Sequence, residues 1–390
     1  MNQPLSSRAL PFPLARIGII GGGQLGRMMV RKATQLGFAA IVLDPTPNSP
    51  AGQVAGHQIV GDFFDPAKLR ELAELSDVTT FDIETIDSQA LEQLVDEGFI
   101  ILPSPHLLAI IQNKLKQKQL LDSKGIATSR FIELANPTAS ALSKFGYPVV
   151  QKAQCGGYDG RGVEIFHDDT QPERILPVPS LLEEFIDCEK ELAVMVARGM
   201  DGEVRVYPAV EMVFDNQANI LDQLIAPARI TAEQAQAAQD LAVKTIEAIE
   251  GVGVFGVELF LGKNGQLLVN EIAPRTHNSG HYTIEACVTD QFEQQIRAIT
   301  GLPLGSTGQL KPAVMINLLG EPGYSGRTIV EGLDEALAIA GVGVHIYGKT
   351  ESRPMRKMGH VTVIDDTIEA ASAKAEQVRQ VLKIRGERTL

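Results

Sequence analysis

From Ala15 onward the apolar positions change period in a regular order. ARIGII reads as a buried strand, GGGQLG as a turn, the stretch ending at Gly37 as an amphipathic helix, and AAIVLD as a second strand. That order is a parallel βαβ unit. A helix near Pro66–Leu75, a strand over VTTFDI, a helix near Ser88–Val95 and a short strand over FIIL continue it, so residues 15–104 are expected to form an open α/β domain. Pro103-Ser104-Pro105 interrupts the pattern, and HLLAIIQNKLKQKQLLDSKG then reads as one long helix ending before Gly125. Between Phe131 and Ile299 strands outnumber helices and adjoin hairpin turns, which predicts a mostly antiparallel α+β unit over residues 105–305. Its one strong helix lies near Thr231–Ile249. GLPLGSTG reads as a linker, and residues 306–390 as a small final domain closed by a polar helix.

A chain of 390 residues with 44% hydrophobic and 21% charged residues is an ordinary globular mixture, long enough for two or three cores. No apolar run approaches a membrane span. The net charge of -13 opposes broad nucleic-acid binding, so any phosphate site must be a local exception. Cys155, Cys188 and Cys287 are few and scattered, which fits a reducing, cytoplasmic setting. Residues 1–14 carry three prolines and no signal-like apolar core, and read as a disordered tail.

Five segments carry chemistry. Gly21-Gly22-Gly23-Gln24-Leu25-Gly26 matches a dinucleotide-binding turn, with Asp44 placed as a ribose-binding acid would be; alone it suggests an NAD enzyme or a turn that only packs helix on strand. Lys152 precedes CGGYDGRG, whose Gly156, Gly157, Gly160 and Gly162 would let backbone amides fold over a triphosphate, unless this is a glycine-rich hairpin with a surface lysine. Glu258 and Glu271 flank Lys263-Asn264-Gly265-Gln266. A two-residue Asn-Gly turn pairs Lys263 with Gln266 and so sets the two glutamates opposite each other, with Phe260 and Val269 on their face. Opposed carboxylates call for a divalent cation, and two carboxylates with substrate phosphates are how Mg²⁺ is usually held. Arg275-Thr276-His277-Asn278-Ser279-Gly280-His281 reads as a site loop, in which Arg275 could hold an anion; zinc on His277 and His281 lacks further ligands. Lys349, Arg353, Arg356, Lys357 and His360 form the local basic exception suited to a substrate phosphate, or a solvated basic turn.

GGGQLGRM, QKA–GGYDGRG, VELF–VNEIAPRTHNSGHYT, VMINLLG and RPMRKMGH, in this order, resemble the N(5)-carboxyaminoimidazole ribonucleotide synthetases. These are biotin-independent carboxylating ligases of purine synthesis in the ATP-grasp superfamily. The resemblance spans Arg16 to the final helix. It implies a Rossmann-like N-terminal domain that does not use NAD, an antiparallel ATP-grasp domain and a small C-terminal domain. It assigns Lys114, Lys152, Gly157, Tyr158, Asp159, Gly160, Arg161, Gly162 and Val163 to ATP, with Glu183, Glu184, Phe185 and Ile186 at the adenine edge. Glu191 would hold the ribose, Asn270 and Glu271 would lie at the phosphates, and Glu258 and Glu271 would carry Mg²⁺ or Mn²⁺. Gln24, Tyr158, Asp159, Arg161, His277, Asn278, Lys349 and Arg356 would contact aminoimidazole ribonucleotide. Phe214 stands where many members have a nucleotide-contacting histidine, so that contact is not carried over.

The implied reaction forms carboxyphosphate from ATP and bicarbonate and transfers the carboxyl group to the exocyclic amine of the ribonucleotide. Lys152 would offset phosphoryl charge, Arg275 would steady the bicarbonate-derived anion and Asp159 would accept the amine proton. The expected partners are small molecules and a second copy in a homodimer, with no nucleic acid or membrane. Two other readings remain open: another ATP-grasp ligase, such as a formate-dependent purine transformylase, and a non-catalytic nucleotide sensor.

Overall fold

The computed structural model describes residues 15–156, 162–214 and 221–389; the expected tail, residues 1–14, lies outside them. The first unit runs β1 (Arg16–Ile20), α1 (Gln24–Gln35), β2 (Ala39–Asp44), β3 (His57–Val60), α2 (Pro66–Leu75), β4 (Val78–Phe81) and α3 (Ser88–Asp96). Its parallel sheet has the order β3-β2-β1-β4. Both faces are covered, one by the cluster around Ile17, Ile19 and Val42 and the other by that around Ile20, Leu43 and Phe81, which is why these strands read as unbroken apolar runs. The direction of chain travel reverses at β1, and ligands of such sheets sit beyond the strand ends at that point. FIIL is no strand: Ile101 makes only an isolated bridge to Thr79, and Pro103 brings no amide with which to extend the ladder.

The expected long helix is two, α4 (Pro105–Ile111) and α5 (Lys114–Ser123). The side chain of Gln112 donates to the carbonyls of Glu84 and Ile86, and that of Asn113 accepts from the Lys116 amide as the N-cap of α5. The break sets Lys114 and Lys118 one turn apart on a fresh helix.

Next come β5 (Phe131–Leu134), α6 (Ala139–Phe145), β6 (Val149–Ala153), β7 (Val163–Phe166) and β8 (Ser180–Glu184), with the four strands in an antiparallel sheet of order β5-β8-β6-β7. Then follow β9 (Cys188–Arg198), β10 (Val204–Val206), β11 (Val210–Phe214), β12 (Leu221–Ala226), α7 (Ala232–Ala248), β13 (Gly253–Gly262) and β14 (Leu267–Ala273). Thr231 and Gln234 form a reciprocal capping box that starts α7, whose Ala238, Ala242 and Ile246 pack beneath β9 and β13. Two short helices, α8 (Thr283–Ala286) and α9 (Gln291–Thr300), lead to β15 (Ala313–Leu319), β16 (Tyr324–Glu331), α10 (Leu333–Leu337), β17 (Val342–Ile346), β18 (Glu351–Ser352), β19 (Lys357–Ile364), α11 (Ile368–Val381) and β20 (Lys383–Thr389). β15, β19 and β17 join the larger antiparallel sheet, of order β14-β13-β9-β11-β12-β15-β19-β17, so the C-terminal strands extend the central sheet. Among the described residues no helix is long and apolar enough to cross a membrane.

Candidate active site

The carboxylate pair is built on the β13–β14 hairpin. Glu258 and Glu271 stand directly opposite, as the turn argument required, although the turn differs from the one assumed. Gly262 pairs with Gln266 across a three-residue loop: the Gly262 amide donates to the Gln266 carbonyl at 2.8 Å, and Gly265 takes the left-handed conformation at φ 80°. Asn264 keeps a negative φ because its side chain accepts from the Gln266 amide at 3.0 Å, closing an Asx turn. The resulting register is one residue short, and a bulge between Glu258 and Leu259 restores it by leaving Asn270 unpaired. Val269 therefore pairs with Leu259 and faces the core, not the carboxylates; of the two expected neighbours, Phe260 alone shares their face.

Glu191 on β9 pairs with Phe260 and stands beside Glu258. Burial first, then repulsion from Glu271 and Glu191, pushes the Glu258 carboxyl well above its ordinary value. Burial acts upward on Glu271 too, but the ion pair with Lys114 outweighs it and holds that carboxyl below its ordinary value. The crowding of hard oxygen donors, whose mutual repulsion a divalent cation would relieve, fits Mg²⁺ or Mn²⁺ accompanied by phosphates.

Lys152 on β6 reaches across to β14, donating to the Asn270 side chain at 2.9 Å, and pairs with Glu183 at 3.1 Å. Glu183, expected at an adenine edge, buries its carboxylate between Lys152 and Lys118, the latter at 3.4 Å, and accepts from Ser129 at 2.9 Å. Burial raises its pKa and the two lysines more than offset this, leaving it lowered. Lys118 also bonds Thr128 at 2.6 Å and Ser129 at 3.0 Å, and burial lowers it to about 8. Glu184, at the end of β8, is exposed; Phe185 meets His167 edge-on, and the Ile186 carbonyl accepts from the Cys188 amide. Phe214 packs, with Met212, on the core cluster containing Ala193 and Met195 of β9.

The glycine turn after β1 binds carboxylates of its own chain. The Gly22 amide donates to Asp44 and the Gly26 amide to Asp82, both at 2.8 Å, so the amides a dinucleotide phosphate would use are occupied. Gly21 has φ 107°, and a Cβ there would fall 1.6 Å from Asp82 Oδ1. Burial pushes Asp82 up to about 6 against the pull of the Gly26 amide and Arg275. Arg275 is held by Glu84 at 2.6 Å and donates to the Thr276 carbonyl, while its Nε is buried without a protein partner among the described residues. Thus Asp82 and Glu84, just past the end of β4, join the N-terminal unit to the site loop.

His277 Nε2 lies 3.6 Å from Glu258, and its Nδ1 is 2.8 Å from the Ser279 hydroxyl; half-buried Asn278 opens the next turn. Gln24 is half-buried at the first position of α1. Lys349 donates to the Lys357 carbonyl at 2.6 Å, and burial, with Arg356 and Lys357 nearby, lowers it to about 8. Arg356 donates to the Glu351 carbonyl at 2.6 Å. The Gln53 side chain donates to the Gly348 carbonyl at 2.9 Å, which brings this basic segment against the N-terminal unit. Gly162 has φ 74° and Val163 pairs with Lys152. Gly157, Tyr158, Asp159, Gly160 and Arg161 lie outside the described residues.

Sequence reasoning missed Lys118, Asp82, Glu84 and the buried role of Glu183. The four-residue spacing of Lys114 and Lys118 and the alternation of Asp82 and Glu84 at a strand end were the available signals.

Comparison with known proteins places this geometry in context. Residues 14–112 match a ribonucleotide synthetase preATP-grasp domain, 119–292 an ATP-grasp domain and 313–374 a phosphoribosylaminoimidazole carboxylase C-terminal domain. The chain is 42% identical over 362 residues to the N5-carboxyaminoimidazole ribonucleotide synthase of Bacillus subtilis, covering 91% of this chain and 93% of that one. The crystal structure of the corresponding synthetase from Thermotoga maritima superposes with a TM-score of 0.89 at 54% identity, over 96% of this chain and all of that one (100%). The Aspergillus clavatus synthase in complex with ADP and 5-aminoimidazole ribonucleotide gives 0.86 at 36% identity, over 94% and 98% of the two chains.

Proposed function

Since the chain belongs to the N5-carboxyaminoimidazole ribonucleotide synthase family of ATP-dependent ligases, we propose that its cleft carboxylates 5-aminoimidazole ribonucleotide with bicarbonate by way of carboxyphosphate. The overall conversion, of aminoimidazole ribonucleotide to its N5-carboxy derivative at the expense of ATP, is a step of purine biosynthesis. The observation that carries the finer reading is the facing pair Glu258 and Glu271, with Lys114 and Lys152 beside it.

In this reading Glu258 and Glu271 hold Mg²⁺ or Mn²⁺, which supplies positive charge at the ATP phosphates. Lys152, aimed by Asn270 and Glu183, offsets charge on the phosphoryl group as it passes from ADP to a bicarbonate oxygen. Glu84 fixes the Arg275 guanidinium, which steadies the carboxyl oxygens of carboxyphosphate. The exocyclic amine then attacks the carboxyl carbon, phosphate leaves and Asp159 takes the amine proton. Glu184, Phe185, Ile186 and Glu191 bind the nucleoside of ATP. Gln24, His277 and Asn278 orient the second ribonucleotide, and Lys349 and Arg356 clamp its phosphate. Unpaired cysteines accord with a cytoplasmic enzyme, and a homodimer is the expected assembly.

ADP release by the purified protein tests this. It should require Mg²⁺, bicarbonate and aminoimidazole ribonucleotide together, gain nothing from formate in place of bicarbonate, and fall at least about 100-fold in Glu271→Gln. Release that neither acid nor ribonucleotide stimulates would refute the carboxylation reading.

A further inference from the structure

His281 belongs to the site loop by sequence but has no part in the chemistry above. Its ring is buried and stacks on that of His360 with centroids 4.5 Å apart; His360 in turn stacks on His345 at 4.4 Å with the planes 14° apart. His345 and His360 are direct partners across β17 and β19, so the pairing of two strands sets one half of the stack and the site loop inserts the other.

We propose that this triple imidazole stack is a positioning device, with His360 at its centre, that sets the spacing between the basic clamp of the C-terminal strands and the His277–Asn278 loop. The proposal rests on the reading of those two groups as contacts of the ribonucleotide.

One end of the stack is tied to the loop and its centre to the clamp. Toward the loop, Gln291 Nε2 lies 3.1 Å from His281 Nδ1 and donates to the His277 carbonyl at 2.8 Å, while Gln291 Oε1 accepts from the His277 amide at 2.8 Å. One amide side chain therefore fixes both the stack and the backbone that carries His277. Toward the clamp, the Tyr347 hydroxyl lies 2.9 Å from His360 Nδ1, and Lys349, two residues further on, has its ammonium 5.6 Å from the Tyr347 ring centre. Lys349 also donates to the carbonyl of Lys357, the first residue of β19, three before His360. At the far side His345 Nε2 meets Glu285 Oε1 of α8 at 2.6 Å.

The groups facing the two buried rings, His281 and His360, are mostly cationic or neutral. Lys357, Arg275, His277 and His345 act on His281, and His281, His345 and Tyr347 surround His360, with Asn317 opposite it on β15. Burial, more than these neighbours, holds both rings well below the ordinary histidine range, hence neutral and able to lie face on face. His360 Nε2 and Glu285 Oε2 are buried without a protein partner among the described residues. A purely space-filling junction would be better served by leucine. Flat polar rings that can stack and still bond at their edges fit a junction whose spacing matters.

The test compares the full-length parent with His360→Leu, which removes the stack and the Tyr347 bond, and His360→Asn, which keeps a flat amide near the Nδ1 position. We expect His360→Leu to raise KM for aminoimidazole ribonucleotide 10-fold or more, with kcat and KM for ATP within 3-fold of parent, and His360→Asn to recover most of that loss. If His360→Leu fails to fold, His345→Gln at the half-buried end decides, with at least a 3-fold rise in the same KM. Folded variants with unchanged KM for the ribonucleotide, or with KM for ATP rising equally, overturn the proposal while leaving the functional reading intact. A parent without ribonucleotide-dependent turnover overturns both.

Discussion

Replacing Glu183 by glutamine removes one negative charge from a place where two buried ammonium groups converge. Lys152 and Lys118 lie 3.1 and 3.4 Å from the same oxygen, with side chains 11% and 3% exposed. At an effective dielectric constant near 20 each contact is worth about 5 kcal/mol of Coulomb attraction, most of which offsets the cost of taking three charges out of water. Removing the anion leaves the cations facing each other, with Thr128, Ser129, Asn270 and one backbone carbonyl as their remaining hydrogen-bond partners among the described residues. Breaking a buried pair in this way costs about 3–5 kcal/mol, which should lower the melting temperature by roughly 5–15 °C. Lys118, already lowered to about 8, should lose its proton in the variant, and Lys152 should lose its aim, raising KM for ATP. Differential scanning fluorimetry and ADP-release kinetics on the same preparation read both effects. The double variant Glu183→Gln/Lys118→Met should regain most of the stability, since it removes the orphaned charge as well. A single variant that melts within about 2 °C of parent and keeps its KM for ATP would refute the account of Glu183 as the anchor of the lysine pair.

Two further outcomes follow from the glycine turn. Asp82 is held at about 6, above its ordinary 3.8, so the folded chain binds its proton more tightly than the unfolded chain. Its contribution to stability is therefore full below about pH 4 and is lost as pH rises through 6, a change of roughly 3 kcal/mol. Urea denaturation at pH 4 and pH 7 should show Asp82→Asn gaining on the parent by that order at the higher pH, and a pH-independent difference would refute it. Gly21→Ala adds a Cβ 1.6 Å from an Asp82 oxygen at φ 107°. It should yield largely insoluble protein, and a soluble variant with parental melting temperature would show the turn to be more yielding than described.

Much of the fold was legible because its signals are local. Ile17, Ile19 and Ile20, buried on both faces of a parallel sheet, declare β1 as a continuous apolar run, and Thr231 with Gln234 announces the start of α7. The opposition of Glu258 and Glu271 was reached through a turn that does not form: a two-residue loop was assumed where three residues turn, and the bulge at Asn270 cancels the error. The bulge shows only as the odd spacing of core-facing Val269 and Ile272, and unbroken alternation from Glu271 sets Val269 on the wrong face. The break at Gln112 was hidden for a related reason: the acceptors of its side chain, the carbonyls of Glu84 and Ile86, belong to a distant loop. Glu183 could not be told from Glu184 by type, since one faces two lysines and the other solvent only once β5 and β6 flank the strand.

The unpaired Asn270 divides its hairpin into two halves of opposite phase. Between the loop and Leu259 the pairing follows one numbering, and from Glu258 to Gly256 it follows the other. The tip is thereby uncoupled from the catalytic end. Because Asn270 is the extra residue, removing it alone would close the ladder without a bulge, keep Glu258 opposite Glu271 and cost only the acceptor that aims Lys152. Of the seven residues in β14, this one is left out of the ladder and meets Lys152 instead.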